Sequence, residues 1–331
     1  MFLASPVFYA NSLHVLTVIT TPLQILGSYC IIFKTPKSMG TIKWSLLNLH
    51  FWCMVLDWAL TMFIIPLLIL PVLGGCPLGI LTTWFGVSTH FQAYIIITLI
   101  FMAGTSVVVV FENRYHQLYG SHPHWRYFRI PFLMLNYFLT VSFSIPAFVN
   151  MPEQHWALEI SYKKLPELPD EIKSLPLFIL AVDLFWLLIP LSSMAFLIVT
   201  ECVVFIVLIN RNLKASSKQA TLSKTTIKFQ KKFLRALYLQ ASVSCFYFSI
   251  PTSYTLFSQF SGIYSQGLIH FVLIIASTHG FSSTLVMIWA HKPYREFCFQ
   301  IIVWIQGILK IKPSKVVQKM PNNQCSATIF A

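Results

Sequence analysis

Seven stretches of the chain, residues 13–33, 44–73, 87–111, 130–150, 175–209, 236–258 and 267–290, are apolar almost throughout and contain no Lys or Arg. An α-helix rises 1.5 Å per residue, so about 20 residues cross the roughly 30 Å hydrocarbon core of a bilayer, and each stretch meets that length. Helices satisfy their own backbone, which makes them the default spanning element where water is absent. The stretch 175–209 is long for one crossing and too short for two with a turn, so it reads as one helix projecting beyond the bilayer. A further apolar run, 297–309, is shorter than a span and leads into Lys310, Lys312, Lys315 and Lys319. Laying it on the membrane surface costs less than carrying those bases across. The pattern predicts an all-α membrane protein: a seven-transmembrane helix bundle over residues 1–295, and a tail over 296–331 with a short interfacial helix.

Composition supplies the solvent. With 56% hydrophobic and 10% charged residues among 331, the chain cannot cover a water-soluble globule, and most of its surface must meet lipid. Charge supplies the orientation. Of 23 Lys and Arg, 20 lie in the connections after the first, third and fifth spans and in the tail: 3 (Lys34, Lys37, Lys43), 3 (Arg114, Arg126, Arg129), 8 (Arg211 to Arg235) and 6 (Lys292 to Lys319). The opposite side holds Lys163, Lys164 and Lys173. The positive-inside rule therefore puts the N-terminus outside and the tail in the cytoplasm. The net charge of +13 then belongs to the cytoplasmic face, where it suits anionic lipid headgroups, and no soluble basic domain exists for nucleic acid. The first eleven residues lack a basic n-region and the apolar run after them is of helix length, so the first span is expected to act as its own insertion signal. The chain has no Asn-x-Ser/Thr acceptor site.

Cys30, Cys53, Cys202 and Cys245 fall in spans, Cys298 and Cys325 on the cytoplasmic side, and Cys76 alone outside, so no extracellular disulfide is expected. No Cys/His spacing fits a zinc site and no cofactor is implied. No set of His, Cys, Asp or Glu stands at catalytic spacing, which argues against an enzyme. Cys298, beside the surface helix, is a candidate for palmitoylation. Residues 151–173 carry Glu153, Glu159, Glu167, Asp170 and Glu171 among prolines and read as a solvated outer loop.

Ionisable groups inside a bilayer are costly and usually face the bundle or water. Asp183 lies near the outer end of the fifth span, within reach of headgroups, and Glu201 near the inner end, within reach of cytoplasmic Lys or Arg. Asp57 is about 20 Å along the second span from Trp44, so it is expected to face the interior as a hydrogen-bonded acid or an ion ligand. Pro66 and Pro71 in the second span, Pro190 in the fifth and Pro251 in the sixth permit kinks. A kinked sixth helix is a candidate moving part.

Several short runs carry a resemblance. Leu46-Leu47-Asn48-Leu49-His50 opens the second span, Phe111-Glu112-Asn113-Arg114 closes the third, and His291-Lys292-Pro293-Tyr294-Arg295 follows the seventh. With Lys34-Thr35-Pro36, Gly74-Gly75 and His279-Gly280-x-x-Ser283-Thr284, their order and placement resemble the nematode serpentine receptors, most closely the class H chemoreceptors, from about Leu13 to Arg295. The resemblance implies a G-protein-coupled receptor for a small external odorant or pheromone-like ligand, in the plasma membrane of sensory cilia. Its partners would be that ligand, membrane lipid and a heterotrimeric G protein. Glu112 and Arg114 are similar to the acid and arginine that close the third helix of rhodopsin-like receptors. There the two are adjacent; here Asn113 separates them, and residues two apart face different sides of a helix. Arg114 is left to reach another helix or the G protein.

The remaining switch and coupling candidates are Lys231, Lys232, Pro251, His279, Tyr294 and Arg295. For the ligand, the outer half of the bundle is the default cavity, and its candidates are His90, Gln92 and Tyr94 on the third span, Phe178 and Asp183 on the fifth, Tyr254 and Phe257 on the sixth, and His270 on the seventh. The alternative is a ligand-gated channel or small-molecule transporter, which would be expected to show repeated halves, broken helices with paired polar residues, or a polar stripe, and here the halves do not match.

Overall fold

The computed structural model describes residues 2–36, 40–119, 123–165, 167–182, 185–218 and 223–308. Its helices are α1 (Pro6–Phe33), α2 (Gly40–Trp58), α3 (Ile80–Thr83), α4 (Thr89–Tyr119), α5 (Pro123–Ser142), α6 (Ile145–Val149), α7 (Gln154–Lys164), α8 (Asp170–Lys173), α9 (Phe185–Lys218), α10 (Lys224–Ser261), α11 (Gln266–Ala276), α12 (His279–Ala290) and α13 (Lys292–Ile308). Three strands, β1 (Pro66–Ile69), β2 (Leu73–Pro77) and β3 (Phe178–Ala181), form one sheet. Seven helical segments are long and apolar enough to cross a membrane: Pro6–Phe33, Ile42–Phe63, Thr89–Leu118, His124–Val149, Leu187–Lys218, Thr225–Ser261 and Gln266–Ala290.

The spans pack around an apolar core that includes Leu46, Leu56, Val108, Phe111, Ile209, Leu237 and Met287. Several polar groups inside it are paired between helices. Asn48 Nδ2 donates to Ser106 Oγ (3.1 Å) and to the Tyr137 hydroxyl (2.7 Å), tying α2 to α4 and α5. His50, on the same helix, meets the Gln24 carbonyl of α1 at 2.9 Å.

Two of the apolar runs are part strand and part helix. The run 44–73 is helical only to Phe63, its last turn, Ala59–Phe63, being π-helical. Pro66, which has no N–H to extend a helix, then opens β1. There the buried Leu67 and Ile69 alternate with half-exposed residues, the period of a strand. Pro66 and Pro71 accordingly lie in β1 and the turn after it, not inside the second helix. The run 175–209 likewise starts as a strand: β3 pairs antiparallel with β2, Phe178 opposite Gly75, and the fifth helix begins only at Phe185. Phe178 is therefore a strand residue.

Gly75 makes the close approach possible. Its φ of 154° and its position under the Leu67 carbonyl leave no room for a Cβ. The segment 151–173 is more than a solvated connector, because Ala157 of α7, Leu165, Leu168 and Ile172 of α8 pack against Leu67, Ile69, Cys76 and Ile179 of the sheet. Gln154 closes the free side of β3, accepting from the Ile179 N–H (2.9 Å) and donating to the Ile179 carbonyl (3.1 Å).

Candidate functional site

Polar side chains are concentrated at three levels: under the sheet, at the waist of the bundle, and at the end rich in bases. At the waist the seventh span is interrupted, α11 ending at Ala276 and α12 starting at His279. The first N–H groups of a helix have no partner within it, and here Asp57 of α2 supplies one across 223 residues of sequence. Its Oδ1 accepts from the Gly280 N–H at 3.0 Å and its Oδ2 from the Phe281 N–H at 3.1 Å and the Gln24 amide at 2.7 Å. A carboxylate at a helix N-terminus also complements the helix dipole. Asp57 is thus a fully buried hydrogen-bonded acid joining the first, second and seventh spans.

A Cβ on Gly280 would stand 2.5 Å from Asp57 Oδ2, so the glycine is what admits the carboxylate. The neighbouring His279 reaches the sixth span, its Nε2 lying 3.1 Å from Ser244 Oγ and its ring 4.9 Å from that of Phe248. Ser283 and Thr284 of the same run are buried. Pro251 lies inside α10, seven residues beyond Ser244.

Under the sheet, the ligand candidates fall into two groups. His90, Tyr94 and Phe178 surround Phe148 of α6: its ring is 5.5 Å from that of His90 and 5.5 Å edge-on from that of Tyr94, and His90 is 6.4 Å from Phe178. Across the bundle, His270 stacks on Tyr9 of α1 at 4.3 Å. The Leu68 carbonyl can only accept, which fixes the amide so that Gln266 Nε2 donates to it (3.0 Å) and to His270 Nε2 (2.8 Å), while Gln266 Oε1 accepts from the Tyr264 hydroxyl (2.9 Å). His270 Nδ1–H then donates to the Leu3 carbonyl at 2.9 Å, so the ring is neutral and one tautomer is fixed.

Tyr254 joins this group through a longer contact, 3.4 Å to the Ser265 carbonyl. Gln92 belongs to neither, its amide nitrogen donating to Thr82 Oγ1 and the Val87 carbonyl in the turn before α4. Phe257 points away from the bundle, 53% exposed, and Asp183 lies outside the described residues.

At the basic end, Glu112 is fully buried and pairs with Arg129 of α5, not with Arg114: Arg129 Nε donates to Glu112 Oε2 at 2.9 Å and Trp125 Nε1 to Oε1 at 3.2 Å. Asn113 extends the network, accepting from Arg129 and donating to Ser45 of α2, both at 2.9 Å. Arg114 points the other way, its guanidinium 4.6 Å over the Phe233 ring of α10. His291 packs between Phe233 (5.4 Å) and Tyr294 (5.3 Å), and burial pushes its imidazole down to about 4.

The Tyr294 hydroxyl meets Thr35 Oγ1 at 2.7 Å, fastening α13 to the end of α1. Cys298 is half-buried beside Cys30, whose thiol hydrogen bond holds the Cys298 thiol below its usual range. Arg295 donates to the Trp289 carbonyl at the surface, and Lys231 and Lys232 are exposed on α10. Glu201 meets Asn136 of α5 at 3.2 Å rather than the cytoplasmic base expected of it.

Gln24, Ser45, Trp125 and Arg129 were not singled out by the sequence. Trp125 and Arg129 do carry a signal, an aromatic and a base four residues apart on one helix face, while Gln24 and Ser45 are identified only by what they touch. Among the described residues no three His, Cys, Asp or Glu gather as a metal site.

Residues 4–304 match the model of the serpentine type 7TM GPCR chemoreceptor Srh family. The chain is 25% identical over 317 residues to serpentine receptor class H-72 of Caenorhabditis elegans, covering 91% of this chain and 88% of that protein. Its fold is similar to that in the crystal structure of squid rhodopsin, with a TM-score of 0.54 at 12% identity over 91% of this chain and 86% of that one.

Proposed function

Since the chain belongs to the Srh family of serpentine seven-transmembrane chemoreceptors, we propose that it is a chemosensory receptor in which a small external molecule, bound under the sheet, drives activation of a heterotrimeric G protein at the basic end. The distribution of Lys and Arg supports an orientation with the sheet outside and the basic end in the cytoplasm. The protein would then work in the plasma membrane, and in a sensory neuron its place would be the cilium.

The observation that carries the reading is the junction at the waist. A ligand shifts a two-state bundle only through differential affinity for the two states, so the binding level must connect physically to the coupling level. The interrupted seventh span is such a connection. Its α11 half carries His270 beneath the sheet, and its α12 half is held by Asp57 and Ser244 and ends at His291 against Phe233. Movement of α11 relative to α12 therefore bears on the sixth span, where Arg114 lies on Phe233. The linings around Phe148 and Tyr9 are aromatic and neutral, which suits a small, partly apolar ligand.

The test is expression of the full chain at the cell surface against a panel of volatile and pheromone-like molecules, read by G-protein activation. With an agonist in hand, His90→Ala, Tyr94→Ala and Phe178→Ala are expected to raise its half-maximal concentration, and Asp57→Asn to change basal against evoked activity. An agonist-evoked current that persists without G protein would replace this reading by the channel alternative.

A further inference from the structure

Four bases of α10 face away from the bundle. Lys228, Lys231, Lys232 and Arg235 are all exposed, whereas Phe233, Leu234, Leu237 and Gln240 are buried. At 3.6 residues per turn the two sets centre on directions about 180° apart. The basic row continues along the helix through Leu239, Phe246, Phe257 and Phe260, which are 38%, 60%, 53% and 87% exposed. Those apolar residues on the outer wall of a membrane bundle face lipid, so the bases stand on the lipid-facing side beyond them. From Phe260 to Arg235 is about 38 Å of helix, some 8 Å more than the hydrocarbon core, which sets Arg235 at headgroup level and the lysines just past it.

The row is also uncompensated on its own helix. No Asp or Glu occurs anywhere in α10, and like charges three and four residues apart repel. Lys228, Lys231, Lys232 and Arg235 together form one open basic surface along α10. One phosphodiester would engage a single base and leave the others unpaired, whereas a headgroup with several phosphates engages more of the row at once. We propose that this basic surface binds the headgroup of a polyphosphorylated inositol lipid in the leaflet at the basic end of the bundle. The proposal does not rest on G-protein coupling, and its readout is lipid binding alone.

The experiment uses the purified full chain in nanodiscs of phosphatidylcholine doped with a fluorescent phosphatidylinositol bisphosphate, or with phosphatidylserine at matched charge. Each basic residue near a membrane surface strengthens such binding about fivefold. Wild type is expected to bind the bisphosphate lipid at least about tenfold tighter than phosphatidylserine. Lys228→Gln, Lys231→Gln, Lys232→Gln and Arg235→Gln together are expected to weaken it roughly 600-fold, while Arg211→Gln, Lys214→Gln and Lys218→Gln on α9 leave most of it. Lys232→Gln alone, with a loss of about fivefold, keeps the test decisive if the quadruple variant does not fold. Equal binding of the two lipids, an unchanged quadruple variant, or an equal loss from the α9 variant would each overturn the proposal.

Discussion

The two ends of the bundle are closed by opposite chemistry. Under the sheet the closure is neutral: His270 is held by an amide and a carbonyl, Tyr9 donates to the Pro66 carbonyl, and aromatic rings fill the space around Phe148. At the basic end the closure is ionic, a fully buried Glu112 held by Arg129 and by the Trp125 indole N–H. A neutral lining can give way to a small apolar molecule without stranding a charge, whereas an ionic one resists any change that separates its partners. Changes in charge are therefore felt at the basic end and changes in packing under the sheet.

The sharpest way to break that contrast is at the ion pair. Arg129→Gln leaves Glu112 buried without its countercharge and should cost about 4 kcal/mol, read as a fall in thermal stability of the full chain in nanodiscs. Glu112→Gln added to it should recover most of the loss. A double variant no better than the single would mean that Glu112 does not depend on Arg129.

Next in size is the waist, which separates the two closures. Gly280→Ala pushes a methyl group against Asp57 and should cost about 3 kcal/mol by overpacking. Gly307→Ala, where a Cβ meets nothing within 4 Å, should change stability by less than about 0.5 kcal/mol. Equal effects of the two would remove Asp57 from the α12 cap.

Acid should act on the basic end through His291. Its folded value of about 4 lies below the 6.5 of an unperturbed imidazole, so the unfolded chain binds the extra proton between those values. The stability from burying the neutral ring is complete above about pH 6.5 and is lost as pH falls toward 4, amounting to about 2 kcal/mol between pH 7 and 5. Thermal melts across that range should flatten by this amount in His291→Gln; an unchanged slope would show the histidine to be accessible. The smallest effect is expected under the sheet, where Tyr254→Phe removes a 3.4 Å hydrogen bond and should cost no more than about 0.5 kcal/mol.

Much of the bundle was legible along the chain because the demand of lipid is local: an apolar run long enough to cross must come from consecutive residues. The same property hid the sheet. In the runs 44–73 and 175–209 strand and helix residues are equally apolar, so hydropathy could not divide them. Pro66 and Gly74-Gly75 were the available marks, one unable to donate within a helix and the other suited to a close backbone approach. At the site, the separation of Glu112 from Arg114 correctly argued against pairing within the helix, yet did not name Arg129. Asp57 was legible as an acid that must face inward, but not as the cap of α12.

The number of spans, their order, and the side on which cationic connections gather can be read along the chain, since each follows from the free energy of placing a consecutive stretch in lipid or water. Folding in three dimensions sets the rest: β1, β2 and β3 cover one end, Asp57 meets Gly280, and Lys228, Lys231, Lys232 and Arg235 of α10 face away from the core. Those outcomes depend on groups far apart in the chain meeting at hydrogen-bond distance and on how each helix is rotated against its neighbours. Both are set by the packing of the whole bundle rather than by any one segment.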